Sequence, residues 1–139
     1  ILMASQIAVG EENNLRLRIY GEHTSLDWSQ LEPNNLWIRS NTKPTQLIRT
    51  GVGEFCEAAQ QAMRTPAGHP EGYLEAFANI YVNFSRQISA FNLGENCTNE
   101  QFDVPGINEA IRGMAFISNA VSASKKETKW QEFSLQESL

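Results

Sequence analysis

Histidine is scarce in this sequence. His23 and His69 are its two copies, and they are the side chains able to exchange protons near neutral pH. His23 lies in the Gly21-Glu22-His23 turn and reads as a solvated side chain. His69 sits in Thr65-Pro66-Ala67-Gly68-His69-Pro70-Glu71-Gly72-Tyr73, a glycine-flanked loop that leads into a helical pattern. A helix N-terminus offers free backbone N–H groups and a positive dipole end to a hydroxyl-rich ligand. An imidazole at that place can hydrogen-bond sugar hydroxyls, or it can simply cap the helix; spacing alone does not choose between them. Gly51-Val52-Gly53-Glu54-Phe55-Cys56 has the outline of a dinucleotide-binding turn. Its third glycine is replaced by Cys56, which obstructs close helix–strand packing, and the acidic residue about twenty positions on is Glu71, at a helix start. The segment therefore reads as a connection into a short helix. The two cysteines, Cys56 and Cys97, and the two histidines lack metal-ligand spacing, and the carboxylates do not form a recognisable catalytic pair.

The elements that must hold these residues change character along the chain. Leu15, Leu17 and Ile19 alternate with Arg16, Arg18 and Tyr20, the period of a half-buried strand. With Gly10-Glu11-Glu12-Asn13 as the turn, residues 4–9 and 14–20 are expected to form a hairpin. Further strands are expected at Ser25–Trp28, Leu36–Arg39 and Gln46–Arg49, separated by Glu32-Pro33-Asn34-Asn35 and Asn41-Thr42-Lys43-Pro44. Short strands with tight turns make an antiparallel meander, since a parallel pair needs a long crossover. Trp37 falls out of phase with Leu36 and Ile38 and is a candidate outward-facing aromatic.

From Glu71 to Phe91 the apolar residues Tyr73, Phe77, Ile80, Tyr81, Phe84, Ile88 and Phe91 recur in steps of three and four or close to it. That pattern predicts an amphipathic helix with one buried stripe, with Pro70 in its first turn and His69 at or beside the N-cap. A second helix is expected from about Gly106 to Lys125, with Asp103 and Pro105 marking its start. Lys125, Lys126 and Lys129 near its end suit the helix dipole. Lys129–Phe133 is expected to return as a strand carrying Trp130, followed by a patternless tail at 134–139. Strands followed by helices give an α+β fold: a largely antiparallel open sheet with helices on one face.

Composition narrows the class. The chain has 139 residues and a formal charge of −5, with 41% hydrophobic and 19% charged residues. Those values fit one globular domain and disfavour nucleic acid, whose phosphates demand a basic face. No apolar run is long enough to cross a bilayer. One pair of cysteines is not a disulfide framework, so both are expected reduced in a cytoplasmic protein. Asn83-Phe84-Ser85 and Asn96-Cys97-Thr98 match the glycosylation acceptor pattern, which is too short to weigh without a secretory signal. The opening Ile1-Leu2-Met3-Ala4-Ser5-Gln6-Ile7-Ala8-Val9 is apolar and strand-like, and reads as the start of a piece whose N-terminal neighbour is missing.

Several of these stretches, in this order, resemble one family. Ser5–Gly10 followed by Asn14–Gly21 resembles the sheet of the glucose–fructose oxidoreductase and inositol dehydrogenase family. Leu26-Asp27-Trp28-Ser29-Gln30-Leu31-Glu32-Pro33-Asn34-Asn35-Leu36-Trp37 resembles its next hairpin. Gly68-His69-Pro70-Glu71-Gly72-Tyr73-Leu74-Glu75-Ala76-Phe77-Ala78-Asn79 is the most specific match, and Gly113–Ile117 through Lys129-Trp130 also fits. The resemblance runs from Ser5 to Phe133.

It implies that residues 1–133 are the C-terminal substrate-binding and oligomerisation domain of a two-domain enzyme. A Rossmann domain outside this chain would bind NAD or NADP, and hydride would pass between a sugar or polyol carbinol and the nicotinamide. Homo-oligomers would form through the open sheet face. Family members use the lysine of a Glu-Lys-Pro motif and an Asp/His pair, none of which matches a position here. No catalytic, cofactor-binding or metal residue is therefore assigned, and the chain alone is expected to be inactive and to bind no NAD. His69, inside a family motif, is the candidate substrate-binding residue. A non-catalytic α+β module that dimerises through its sheet is the alternative.

Overall fold

The computed structural model of the chain describes residues 1–95 and 104–135. Four strands and three helices follow in order: β1 (Arg16–Tyr20), β2 (Thr24–Ser29), β3 (Asn35–Ser40), β4 (Gln46–Arg49), α1 (Glu57–Ala62), α2 (Tyr73–Asn92) and α3 (Ile107–Lys125). The sheet is an open meander, β1-β2-β3-β4, antiparallel throughout. Short turns explain the topology. The Gly21 N–H closes on the Thr24 carbonyl at 2.9 Å, and the Asn35 N–H on the Glu32 carbonyl at 3.0 Å. The fold is α+β, as the change of period predicts.

The chain divides into two compact units, Ile1–Tyr81 and Val82–Leu139, with the boundary inside α2. The first unit holds the sheet, α1 and the opening of α2. The register sorts its strand residues by face. Leu17, Trp28, Leu36 and Ile48 lie in one cross-strand row, and Ile19, Leu26 and Ile38 in the next on the same face. The opposite face carries Arg18, Asp27, Trp37 and Leu47 in one row. On that face Asp27 is 6% exposed and is bound bidentately by Arg16, at 2.8 and 2.7 Å. Arg39 adds a bond of 2.9 Å to the same carboxylate, and its guanidinium lies 5.9 Å from the centre of the Trp37 ring. Trp37 is on the outward phase expected of it, half-buried under this arginine.

The second unit holds the rest of α2 and α3. At the start of α3 the Gly106 N–H donates to Glu109 at 2.8 Å. At its end Lys129 donates to the Ser124 carbonyl at 2.9 Å, so the basic cluster does meet the helix terminus. Ala115 is 0% exposed, and Asn119 bridges to Ser134 by donating to its carbonyl at 2.7 Å.

Four expectations are corrected. Residues 4–9 form no strand, and β1 is the sheet edge with no hairpin partner before it. The apolar run is there, but no described ladder pairs it, and a strand cannot stand without a partner for its N–H and C=O groups. Lys129–Phe133 likewise forms no strand, and Trp130 is exposed. Pro70 and His69 precede α2 by three and four positions, because the helix begins at Tyr73. Finally, the α2 stripe exists but is not buried: from Ile80 at 43% to Phe91 at 80%, it stays open. On α3, Ile107, Ile111, Met114, Ile117 and Val121 are exposed as well. An amphipathic helix buries its stripe only against a second apolar surface. Asp103, Cys97 and the Asn96-Cys97-Thr98 pattern lie outside the described residues.

Candidate functional site

Sequence points to the loop between α1 and α2, and the first unit shows how it is built. Pro66, Ala67, Gly68 and His69 make one tight turn, closed by the His69 N–H on the Pro66 carbonyl at 3.1 Å. Gly68 has φ +84°, so its place in the turn demands a left-handed backbone that glycine adopts without strain. The Thr65 hydroxyl donates to the His69 carbonyl at 2.9 Å. His69 is thus fixed by its backbone while its side chain is exposed.

Glu71 and Asn34 anchor this loop. One carboxylate oxygen of Glu71 accepts the backbone N–H groups of Arg64, at 2.9 Å, and Thr65, at 3.1 Å. The side-chain amide of Asn34, in the β2–β3 turn, grips the backbone of Glu71 on both sides. It donates to the Glu71 carbonyl at 2.9 Å and accepts from the Glu71 N–H at 3.3 Å. Thr50, just after β4, holds the Asn34 amide oxygen at 2.9 Å. The loop is therefore pinned to the sheet. In the sequence Asn34 reads as a turn residue, and its role as a bridge over 37 positions carries no local signal.

The start of α2 is closed by its own side chain. The Gly72 N–H donates to Glu75 at 2.8 Å, and this bond holds the Glu75 carboxyl below its usual pKa. The N–H groups of Glu71 and Gly72, the two residues before the helix, are both taken within the chain.

Beside the loop lies a cleft of about 420 Å³, walled by Trp28, Pro33, Tyr73, Ala76, Phe77 and Ile80. Its size is that of a small-molecule site, and its walls are apolar. Several polar groups at its edge are engaged within the unit: Trp28 donates its indole N–H to the Pro33 carbonyl at 3.0 Å. Asn79 donates to the Ala62 carbonyl at 2.8 Å and accepts from Arg64 at 2.6 Å. His69 is not among the cleft-lining residues.

The Gly51–Cys56 turn does not fit a dinucleotide. Gly51 and Gly53 have φ +73° and +95°, as tight-turn glycines do. The strand before them, β4, pairs antiparallel with β3, whereas the dinucleotide turn opens a parallel βαβ unit. The helix that follows, α1, has six residues and buries none of them. Cys56 is an exposed free thiol. Among the described residues no group of three His, Cys, Asp or Glu side chains is placed to hold a metal ion. Nor, among them, is any helix long and apolar enough to cross a membrane.

Comparison with known proteins places this architecture. No family model matches the chain. It is 30% identical over 132 residues to the uncharacterized oxidoreductase YfiI of Bacillus subtilis, covering 95% of this chain and 34% of that protein. It is similar to the crystal structure of an oxidoreductase from Sinorhizobium meliloti, with a TM-score of 0.82 and 38% identity over 92% of this chain and 35% of that one. It is also similar to an inositol dehydrogenase homologue from Azotobacter vinelandii, complexed with NADH and myo-inositol, with a TM-score of 0.54 and 34% identity over 57% of this chain and 21% of that one. The chain spans about a third of the length of the first two. It is a homologue of these oxidoreductases, shares their α+β architecture, and corresponds to a part of their longer chains.

Proposed function

We propose that this chain is the substrate-side domain of an NAD- or NADP-dependent dehydrogenase that moves hydride to or from a sugar or polyol. The observation that carries the reading is the match to the Sinorhizobium meliloti oxidoreductase over 92% of this chain and 35% of that one. The named complex of the Azotobacter vinelandii homologue with NADH and myo-inositol supports a cyclic polyol as the substrate class. In this reading the cofactor and the catalytic lysine belong to the remainder of the full-length protein. The Gly51–Cys56 turn does not fit a dinucleotide, and in this reading the chain by itself is expected to be inactive. What it contributes is the anchored loop that presents His69 to the substrate hydroxyls, and an open sheet that joins copies of a cytoplasmic homo-oligomer. A non-catalytic dimerisation module accounts for the open sheet equally well, but not for the tight anchoring of an otherwise exposed histidine loop.

The test is made on the full-length protein. It is expected to reduce NAD or NADP in the presence of myo-inositol or a related polyol. His69→Ala is expected to lower kcat/KM for the polyol by about tenfold or more, the usual scale for losing a well-placed hydrogen-bonding group. Its cofactor Kd should not change. A variant that loses cofactor and polyol binding equally would remove His69 from the substrate site.

A further inference from the structure

We propose that Glu71 is a positioning residue for His69, acting through the backbone of the loop that carries it. The proposal rests on the reading of His69 as a substrate-binding residue. Among the described residues the Glu71 carboxylate makes no salt bridge; one of its oxygens instead collects the N–H groups of Arg64 and Thr65. Those groups lie seven and six positions upstream, so the bond closes the ring of chain from Arg64 to Glu71 that contains the Pro66–His69 turn. Two further links fix where that ring sits. Thr65, held by Glu71 through its N–H, holds His69 through its hydroxyl, which donates to the His69 carbonyl. Asn34 secures the Glu71 backbone to the sheet from both sides.

A carboxylate suits this task because a charged acceptor binds two N–H donors more strongly than a neutral one. Without it, two backbone donors lose their partner and Thr65 is free to turn away from His69. The imidazole is exposed and makes no hydrogen bond among the described residues, so nothing but its backbone sets its position. Loosening the ring therefore translates directly into misplacement of the ring nitrogens relative to a bound polyol.

The experiment is a double-mutant cycle on the full-length protein, read as NAD-dependent oxidation of myo-inositol. Glu71→Ala is expected to lower kcat/KM by about tenfold, in the range that a small misplacement of a binding group produces. In the His69→Ala background the same change should cost less than about twofold, because the residue it positions is gone. Glu71→Gln, which keeps an acceptor oxygen for the two N–H groups, should recover most of the activity. Thermal unfolding separates structure from positioning: the Glu71→Ala shift in Tm should be the same in both backgrounds. Losses in kcat/KM that multiply in the double variant overturn the proposal, as does a Glu71→Gln enzyme as poor as Glu71→Ala. A wild-type protein that oxidises no polyol would sink the functional reading itself, and with it the proposal. A wild type that turns over with multiplying losses would sink the role of Glu71 alone.

Discussion

Asp27 faces Arg16, Arg18 and Arg39 on one side of the sheet, and its titration is the clearest electrostatic consequence of the fold. The Arg16 guanidinium, hydrogen-bonded to it, and then Arg39 hold its pKa down to about 2 against the opposing effect of desolvation. A carboxylate ordinarily titrates near pH ~3.9. The folded state thus binds its proton less readily than the unfolded one, and the stability that the charged form confers is complete above the unfolded value. It is lost as pH falls from about 4 through about 2. Urea unfolding measured from pH 7 downward should therefore show a drop in midpoint in that window, and Asp27→Asn should flatten it while lowering the midpoint at pH 7. A variant whose acid profile matches the wild type would show that other carboxylates carry the effect. Sequence alternation already put Arg16 and Arg18 on one face. It could not reveal that Asp27 lies between them, because that neighbourhood depends on the register of β1 with β2, which no single strand encodes.

At the scale of elements, sequence was most informative where a local rule is strict. Gln46–Arg49 is a strand with the expected bounds, and the long helix begins within two residues of its expected start. It failed where an element needs a distant partner, at residues 4–9 and Lys129–Phe133, whose composition suits strands that no described ladder completes. The loop around His69 belongs to the first kind at its turn, since Pro66-Ala67-Gly68-His69 spells a glycine-dependent bend, and to the second at its anchors on Asn34. Two glycines separate local strain from packing. Gly68 has φ +84° and open space around it, whereas Gly51 has φ +73° and a Cβ there would lie 2.9 Å from the Ala67 nitrogen. Gly68→Ala should thus cost only the left-handed penalty of about 1–2 kcal/mol. Gly51→Ala adds a backbone clash against the very turn that carries His69, and should cost more, about 2–4 kcal/mol. Urea unfolding of both variants checks the order; equal costs would mean that the 50–53 and 66–69 segments separate freely.

For the whole molecule the open question is what covers its apolar stripes. The periodicity of α2 predicts a buried stripe, yet Phe84 and Phe91 are exposed, and so are Met114 and Ile117 on α3. Periodicity reports which side of a helix wants burial and says nothing of which chain supplies the cover. Relatives about three times as long as this chain suggest the answer, since each shares only 34–35% of its length with it. If the functional reading holds, the remainder of the full-length protein or a second copy lies on these stripes. Hydroxyl-radical footprinting of the full-length protein tests this side chain by side chain. Phe84, Phe91, Met114 and Ile117 should label several-fold more slowly, relative to their intrinsic reactivities, than Met3 and Tyr20, which are exposed and lie on neither stripe. Protection that survives dilution assigns the cover to the rest of the same chain, and protection that fades with dilution assigns it to a second copy. Labelling of the stripes as fast as that of Met3 would mean that these surfaces stay open in the complete protein, and the domain reading would then lose its account of why they are apolar.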